Sequence, residues 1–339
     1  MSTLTIGAPV TRSSVRNAAQ GCEVVRGPRD ATFFRRAVVT LTQLEVSNNK
    51  LSLFQQGGEL RYECDARSFN EDGATSKVYL LRLVTNQDRV PPFYHKLCLK
   101  RFHDYELGAW QREHNIIAAM DAAVGMASDR VLAHPLQLQC GGAVWNCVVM
   151  EAADTPLSSL EGRLPVGEAL KFARAMVTEL CNIFEATGLI SVDVTLDNFM
   201  YVCTVSQYLV MPIDYGGYAF EGSTTAASTY KHPSLAADEV SFLVNQANSA
   251  YSLGVCLLML VQKGMTYDEN NSFINGEPAG AAACLTRLAQ SDDSEMRRLA
   301  RIAAELMSFA NGRFRHTQPT QNGQVTLQRA RSVISRFNL

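Results

Sequence analysis

Long apolar runs are missing from this chain. The longest extends only from Gly254 to Val261, well short of the roughly 18 residues that a membrane-spanning helix needs, so no membrane span is expected. Basic runs are missing as well. Lys and Arg number 31 against 33 Asp and Glu, a formal net charge of -2, so nothing here supplies the positive footprint that nucleic-acid binding requires. Nine cysteines include no Cys-x-x-Cys pair, which argues against structural zinc. Most of them sit in apolar segments, where free thiols are usually buried; one or two disulfides enter only if the chain is secreted, and spacing does not give their connectivity. Met1 to Gln20 holds no apolar core of a signal peptide, so either the chain is cytosolic or a leader has been removed. What remains is 339 residues, 47% hydrophobic, enough to bury a sizeable core.

The informative stretch is Ile190-Ser191-Val192-Asp193-Val194-Thr195-Leu196-Asp197-Asn198, followed sixteen residues after Asn198 by Asp214-Tyr215-Gly216. Singly, Asp followed by Asn marks a turn and Asp-Tyr-Gly a strand end. In this order, framed by the apolar strands Gly188 to Ile190 and Tyr208 to Met211, they are the groups that phosphoryl transfer from ATP needs. Asp193 is the candidate acceptor for the proton of an attacking hydroxyl, and Asn198 and Asp214 are the candidate magnesium ligands.

Such chemistry also needs a Lys on an upstream strand, paired with a Glu on the next helix. Lys96 to Phe102 alternates as a strand and carries Lys100 at the expected place. Leu107, Trp110 and Ile117 mark one helix face at spacings of three and seven, and Glu113 shares it. Glu113 is therefore the expected partner, whereas Glu106 opens the helix, where its charge suits the dipole. Ala143 to Ala153 reads as a buried strand running into a hinge, with the backbone of Met150, Glu151 and Ala152 placed to hydrogen-bond an adenine. Ala169 to Thr187 reads as a long amphipathic helix and Tyr251 to Leu260 as a buried central helix.

Over about residues 50 to 339 the chain resembles the eukaryotic protein kinase superfamily. The resemblance implies an α+β bilobal fold: a small antiparallel-sheet N-lobe at 51–150 and a larger, mainly helical C-lobe at 151–339. An N-terminal extension at 1–50 is expected to dock on the N-lobe. ATP and magnesium are the implied ligands, with weak binding or none expected because of the departures that follow.

Kinases join their first two strands by a Gly-x-Gly-x-x-Gly loop, since only glycine lets amides approach the phosphates closely. The corresponding stretch is expected at Leu51 to Tyr62, then Cys64 to Phe69 and a turn at Asn70 to Gly73, which together hold no such triplet. Gly57-Gly58 reads as a bulge or tight turn, and the first strands are expected to connect without a phosphate-covering hairpin. Ser191 and Val192 replace the usual His and Arg before Asp193, and Thr195 replaces the Lys that neutralises the transferred phosphoryl group. Ser249 stands where the central helix usually carries an Asp bracing the catalytic loop. Gly222 to Ser228 is read as an activation-segment loop ending at Tyr230 to Ser234. Arg315 is read as a late Arg whose partner is Asp238 or Glu239. Thr266 to Ala283 reads as an Asn- and Gly-rich insertion.

A kinase-like chain that lacks the glycine loop yet keeps Lys, Asp, Asn and Asp resembles the rhoptry-kinase group of apicomplexan parasites. Within that group it resembles the with-no-glycine-loop branch that includes the bradyzoite pseudokinase. That resemblance implies secretion to the parasitophorous vacuole or cyst wall and action through protein partners. The leading expectation is thus a pseudokinase. An active Ser/Thr kinase with an unconventional ATP site is the alternative. A small-molecule phosphotransferase, which shares the Asp-x-x-x-x-Asn spacing, is the second; the Tyr251-Ser252-Leu253-Gly254 helix speaks against it.

Overall fold

Period-two alternation builds the first part of the molecule. In the computed structural model, which describes residues 31–65, 75–91, 94–123, 133–152, 155–203, 208–225, 242–261, 278–307 and 326–336, the chain divides into two compact units. One spans Val25–Ala153 with Glu185–Thr187, and the other comprises Asp154–Phe184 and Gly188–Leu339.

The N-terminal unit is an antiparallel sheet of seven strands. They are β1 (Gln43–Ser47), β2 (Lys50–Phe54), β3 (Arg61–Asp65), β4 (Ser76–Leu83), β5 (Lys96–Phe102), β6 (Ala133–Cys140) and β7 (Ala143–Glu151), in spatial order β1-β2-β3-β4-β5-β7-β6. β1 comes back against β6 at the opposite edge, so the sheet curls almost into a barrel. Successive side chains of a strand point to opposite faces. Leu51 and Leu53, Leu81 and Leu83, Leu97 and Leu99, and Cys147 and Val149 accordingly fill the interior, and Lys100 lies on the outer face. Helix α1 (Ala31–Val38) adds Phe34 and Val38 to the same core, where Phe33 stacks on Tyr94 at 5.5 Å. Residues 43–54 form one hairpin that spans residue 50.

Lys100 lies on the fifth strand of this sheet, with the hairpin β1–β2 ahead of β3 and β4. The stretch expected in place of a glycine loop begins with Leu51 to Tyr62. Those residues form β2, a tight turn in which Gly57 and Gly58 adopt φ of 96° and 75°, and the start of β3. Residues 66–74, which hold the rest of that stretch with the turn expected at Asn70 to Gly73, lie outside the described residues. Their sequence holds one glycine, Gly73.

Helix α2 (Leu107–Ala122) packs on the outer face of the sheet and buries Ala109, Trp110, Glu113, Ile117 and Met120. Leu107 does not join them and is 53% exposed. At 3.6 residues per turn it sits roughly a third of a turn from the centre of that face. The first half of β7 is also more exposed than expected, with burial beginning at Cys147.

The second unit is mostly helical: α3 (Val166–Thr187), α4 (Gln246–Val261), α5 (Pro278–Ala289), α6 (Ser294–Leu306) and α7 (Leu327–Arg336). Helix α3 ends at Gly188, whose φ of 71° is the left-handed cap conformation that glycine adopts at least cost. Asn245 opens α4, its Oδ1 accepting from the Asn248 amide at 3.1 Å, the usual way of satisfying an orphan donor. The insertion expected to run to Ala283 ends by Pro278, where α5 begins. Ala281, Cys284, Leu285 and Leu288 recur at helical spacing and are buried, and proline is favoured at a first helical position. The N-terminal residues before 31, residues 226–241 with Tyr230 to Ser234, Asp238 and Glu239, residues 262–277, and Arg315 lie outside the described residues.

Helices α4 and α6 approach closely at Gly254. A Cβ there would fall 2.6 Å from Cγ of Met307 and 3.3 Å from Cβ of Leu306, and both neighbours are fully buried. Gly254→Ala gains about 1 kcal/mol of helix propensity and incurs about 1–3 kcal/mol of overpacking. A net loss of about 1 kcal/mol in urea unfolding is therefore expected. Gly108→Ala, with only Arg112 at 3.9 Å, is expected to stabilise instead. Stabilisation by both substitutions would show that the α4–α6 contact is not tight.

Seven cysteines among the described residues are free: Cys64, Cys98, Cys140, Cys147, Cys181, Cys256 and Cys284. Burial pushes the Cys147 thiol up to about 12 and raises that of Cys256 further, which marks both as unreactive packing thiols. No described helix is long and apolar enough to cross a membrane.

Candidate functional site

Lys100 and Glu113 meet because β5 turns its even-numbered residues outward, onto the face where α2 lies. Lys100 Nζ donates to Glu113 Oε2 at 2.7 Å, with side-chain exposures of 11% and 1%. The Phe102 ring lies 5.1 Å from the ammonium. Trp110 fixes the helix on the sheet, its Nε1 donating to the Cys147 carbonyl at 3.1 Å. Glu106 opens α2, as its position suggests. In the ladder Val78 and Val148 flank Lys100, and Met150 pairs with both Cys98 and Ala133. Met150, Glu151 and Ala152 are all buried. The described pairing of β7 with β6 ends at Met150, so Glu151 and Ala152 extend beyond it.

In the other unit two strand pairs converge on the motif. β8 (Leu189–Ser191) pairs with β11 (Tyr218–Phe220), matching Ser191 with Tyr218, and Val192 N donates to Gly217 O at 2.8 Å. Asp193 is thereby set beside the turn Asp214 to Gly217, so closely that a Cβ on Gly217 would lie 3.4 Å from that of Asp193. β9 (Phe199–Cys203) pairs with β10 (Tyr208–Pro212), and Ile213 N donating to Asn198 O at 3.1 Å extends that ladder by one step. Asn198 and Asp214 are thus carried at the end of one hairpin. Asn198 Nδ2 donates to both the carbonyl and Oδ2 of Asp193 at 2.9 Å each. Both bonds use its amide donor, which leaves Oδ1 as the atom that it can offer to a cation. Oxygen from an amide and a carboxylate is the donor chemistry that magnesium takes, so Asn198 and Asp214 suit that ion.

Thr195 is 7% exposed and serves the turn: its carbonyl and Oγ1 both accept from the Asn198 amide at 3.3 Å. Tyr215 is buried beside Tyr218, ring centroids 6.4 Å apart, and burial, with Tyr215 nearby, raises the Tyr218 hydroxyl well above its ordinary pKa.

Sequence reasoning missed the loop's support. Asn248 Nδ2 donates to the Val192 carbonyl at 3.4 Å, Ser249 Oγ to the Ser191 carbonyl, and Cys256 Sγ to the Val194 carbonyl at 3.5 Å. The signal was available: Asn248 and Ser249 are buried polar residues at the start of an otherwise apolar helix, and such groups need partners.

No family model matches this sequence, and no curated protein matches it. Among solved structures the chain is similar to the kinase PK-1 of the Cydia pomonella granulovirus, with a TM-score of 0.54 and 12% identity over 89% of this chain and 97% of that one. With its antiparallel sheet and its helical second unit, the chain has a mixed α+β, protein-kinase-like fold.

Proposed function

We propose that this chain is a pseudokinase: a kinase-fold protein that acts chiefly through protein partners and holds nucleotide weakly. The observation that carries this reading is Thr195. Where an active kinase aims a lysine at the transferred phosphoryl group, this chain has a buried hydroxyl committed to the turn beneath Asn198. Residues 66–74, with a single glycine, supply no triplet for phosphate-covering amides. In this reading the domains are an extension at 1–50, a sheet domain at 51–150 and a helical domain at 151–339. Lys100 would meet nucleotide phosphates, and the backbone of Met150, Glu151 and Ala152 would meet adenine. Asn198 and Asp214 would hold magnesium, which would supply charge neutralisation, and Asp193 would take up a hydroxyl proton. Secretion by a parasite into the vacuole or cyst wall rests on the resemblance to the with-no-glycine-loop rhoptry branch. The near-neutral charge fits partners other than nucleic acid.

An active Ser/Thr kinase is the second reading. The formed Lys100–Glu113 pair and the Asp193–Asn198 bonds favour it.

A thermal-shift titration with ATP, with and without magnesium or manganese, tests the proposal. Ligand that binds the native state adds RT ln(1 + [L]/Kd). At 1 mM ATP a dissociation constant near ~1 mM adds about 0.4 kcal/mol, whereas one near ~1 μM adds about 4 kcal/mol. The small shift is expected. The large one would overturn weak binding and move the reading to the active enzyme.

A further inference from the structure

We propose that Ser249, with Asn248 and Cys256, positions the Ser191–Asn198 segment by donating hydrogen bonds to carbonyl oxygens in its first half, so that the brace has the opposite polarity from an acidic one. The proposal rests on the reading that Asp193, Asn198 and Asp214 are the metal and nucleotide residues.

An aspartate at position 249 is a pure acceptor and holds a loop by its amides. The three side chains here are donors, and what they meet are the carbonyls of Ser191, Val192 and Val194. Ser249 and Cys256 are seven residues apart and Asn248 adjoins Ser249, so one side of α4 presents all three. The donors and their acceptor residues are buried, from 0% exposure at Ser249 and Cys256 to 4% at Ser191, so water cannot replace a lost bond. The Val192 amide points elsewhere, to Gly217. The loop therefore presents its carbonyl edge to α4 at these positions and is tied through Val192 N to the Asp214 turn. Ser249 in place of Asp is then a repolarised support and not a lost one. Restoring the acid would set two acceptors against each other.

The test is amide hydrogen exchange in the ligand-free full-length chain, comparing wild type with Ser249→Ala, Ser249→Asp and Ser249→Thr. Loss of one buried hydrogen bond is expected to speed exchange at Val194 to Asn198 by roughly five- to thirty-fold in Ser249→Ala. Amides at Val177 to Ile183 of α3 should be unchanged. Ser249→Thr keeps the hydroxyl and should restore protection. Ser249→Asp should protect the loop no better than alanine. Protection equal to wild type in Ser249→Asp overturns the polarity, and acceleration spread equally over α3 overturns a local role. If Ser249→Asp does not fold, the Ala and Thr pair decides between a local brace and a general core contact.

A second arm reads function. Ser249→Ala should diminish the magnesium-dependent part of the ATP thermal shift and leave the metal-free part unchanged; an unchanged magnesium-dependent part overturns the positioning role. Absence of any magnesium-dependent shift in the wild type would instead count against the metal-site reading, and the exchange data would still decide the brace.

Discussion

In a radiolabelled-phosphate assay against a generic protein substrate, the chain is expected to turn over about four to six powers of ten more slowly than the roughly 1–100 s⁻¹ of ordinary protein kinases. On the proposed reading two electrostatic contributions are absent: glycine-loop amides, since residues 66–74 hold only Gly73, and a lysine at the position of Thr195. Removing one such donor typically costs about 2.7–4 kcal/mol of transition-state stabilisation. The two together come to about 5–8 kcal/mol, and each ~1.4 kcal/mol is tenfold in rate. Asp193→Ala should erase whatever transfer remains. Ordinary turnover by the wild type that disappears in Asp193→Ala would establish an active kinase and end the pseudokinase reading.

Glu113→Ala is expected to destabilise the N-terminal unit by about 3–5 kcal/mol, the usual cost of stranding one member of a buried ion pair. Glu113 is 1% exposed and Lys100 11%. The lysine stem can bend toward water, which favours the lower end of the range. The double variant Lys100→Met with Glu113→Leu should recover most of that loss, because apolar groups of similar volume replace buried pairs at little or no cost. Nucleotide affinity should not recover with it. The chain's two tryptophans, Trp110 and Trp145, both lie in this unit, so fluorescence-monitored urea unfolding reads it selectively. A loss under about 1 kcal/mol in Glu113→Ala would mean that the pair is solvated like a surface bridge. A double variant no better than the single one would place the damage elsewhere than in the stranded charge.

Local periodicity explains what was readable beforehand. Lys100 and Glu113 were legible because a strand and a helix each display their faces in the spacing of apolar neighbours. The grouping of Asp193 with Asn198 follows from a five-residue turn, and Asp214 from the hairpin that returns beside it. Three features were hidden, each for a different reason. The hairpin β1–β2 depends on non-local pairing, which no local pattern encodes. The start of α5 was masked by small residues, Ala279 to Ala283, whose composition reads as loop until the spacing of Cys284, Leu285 and Leu288 is set beside Ala281. The donors beneath the Ser191–Asn198 segment were obscured by looking for the residue that is usual there and not for the hydrogen bond that is needed.

The curled sheet also limits how a partner can recognise this protein. An open sheet leaves an edge whose unpaired amides and carbonyls can template an incoming strand. Here β1 and β6, the two edge strands of the N-terminal sheet, lie close to each other without pairing, so an incoming strand has little room between them. Recognition of the N-terminal unit is left to side chains: the exposed Tyr105 and Leu107 at the entrance to α2, the outward face of β1, or the rim around α1. Partner specificity would then vary residue by residue, by substitution on a closed surface, and not by the length or register of a shared strand.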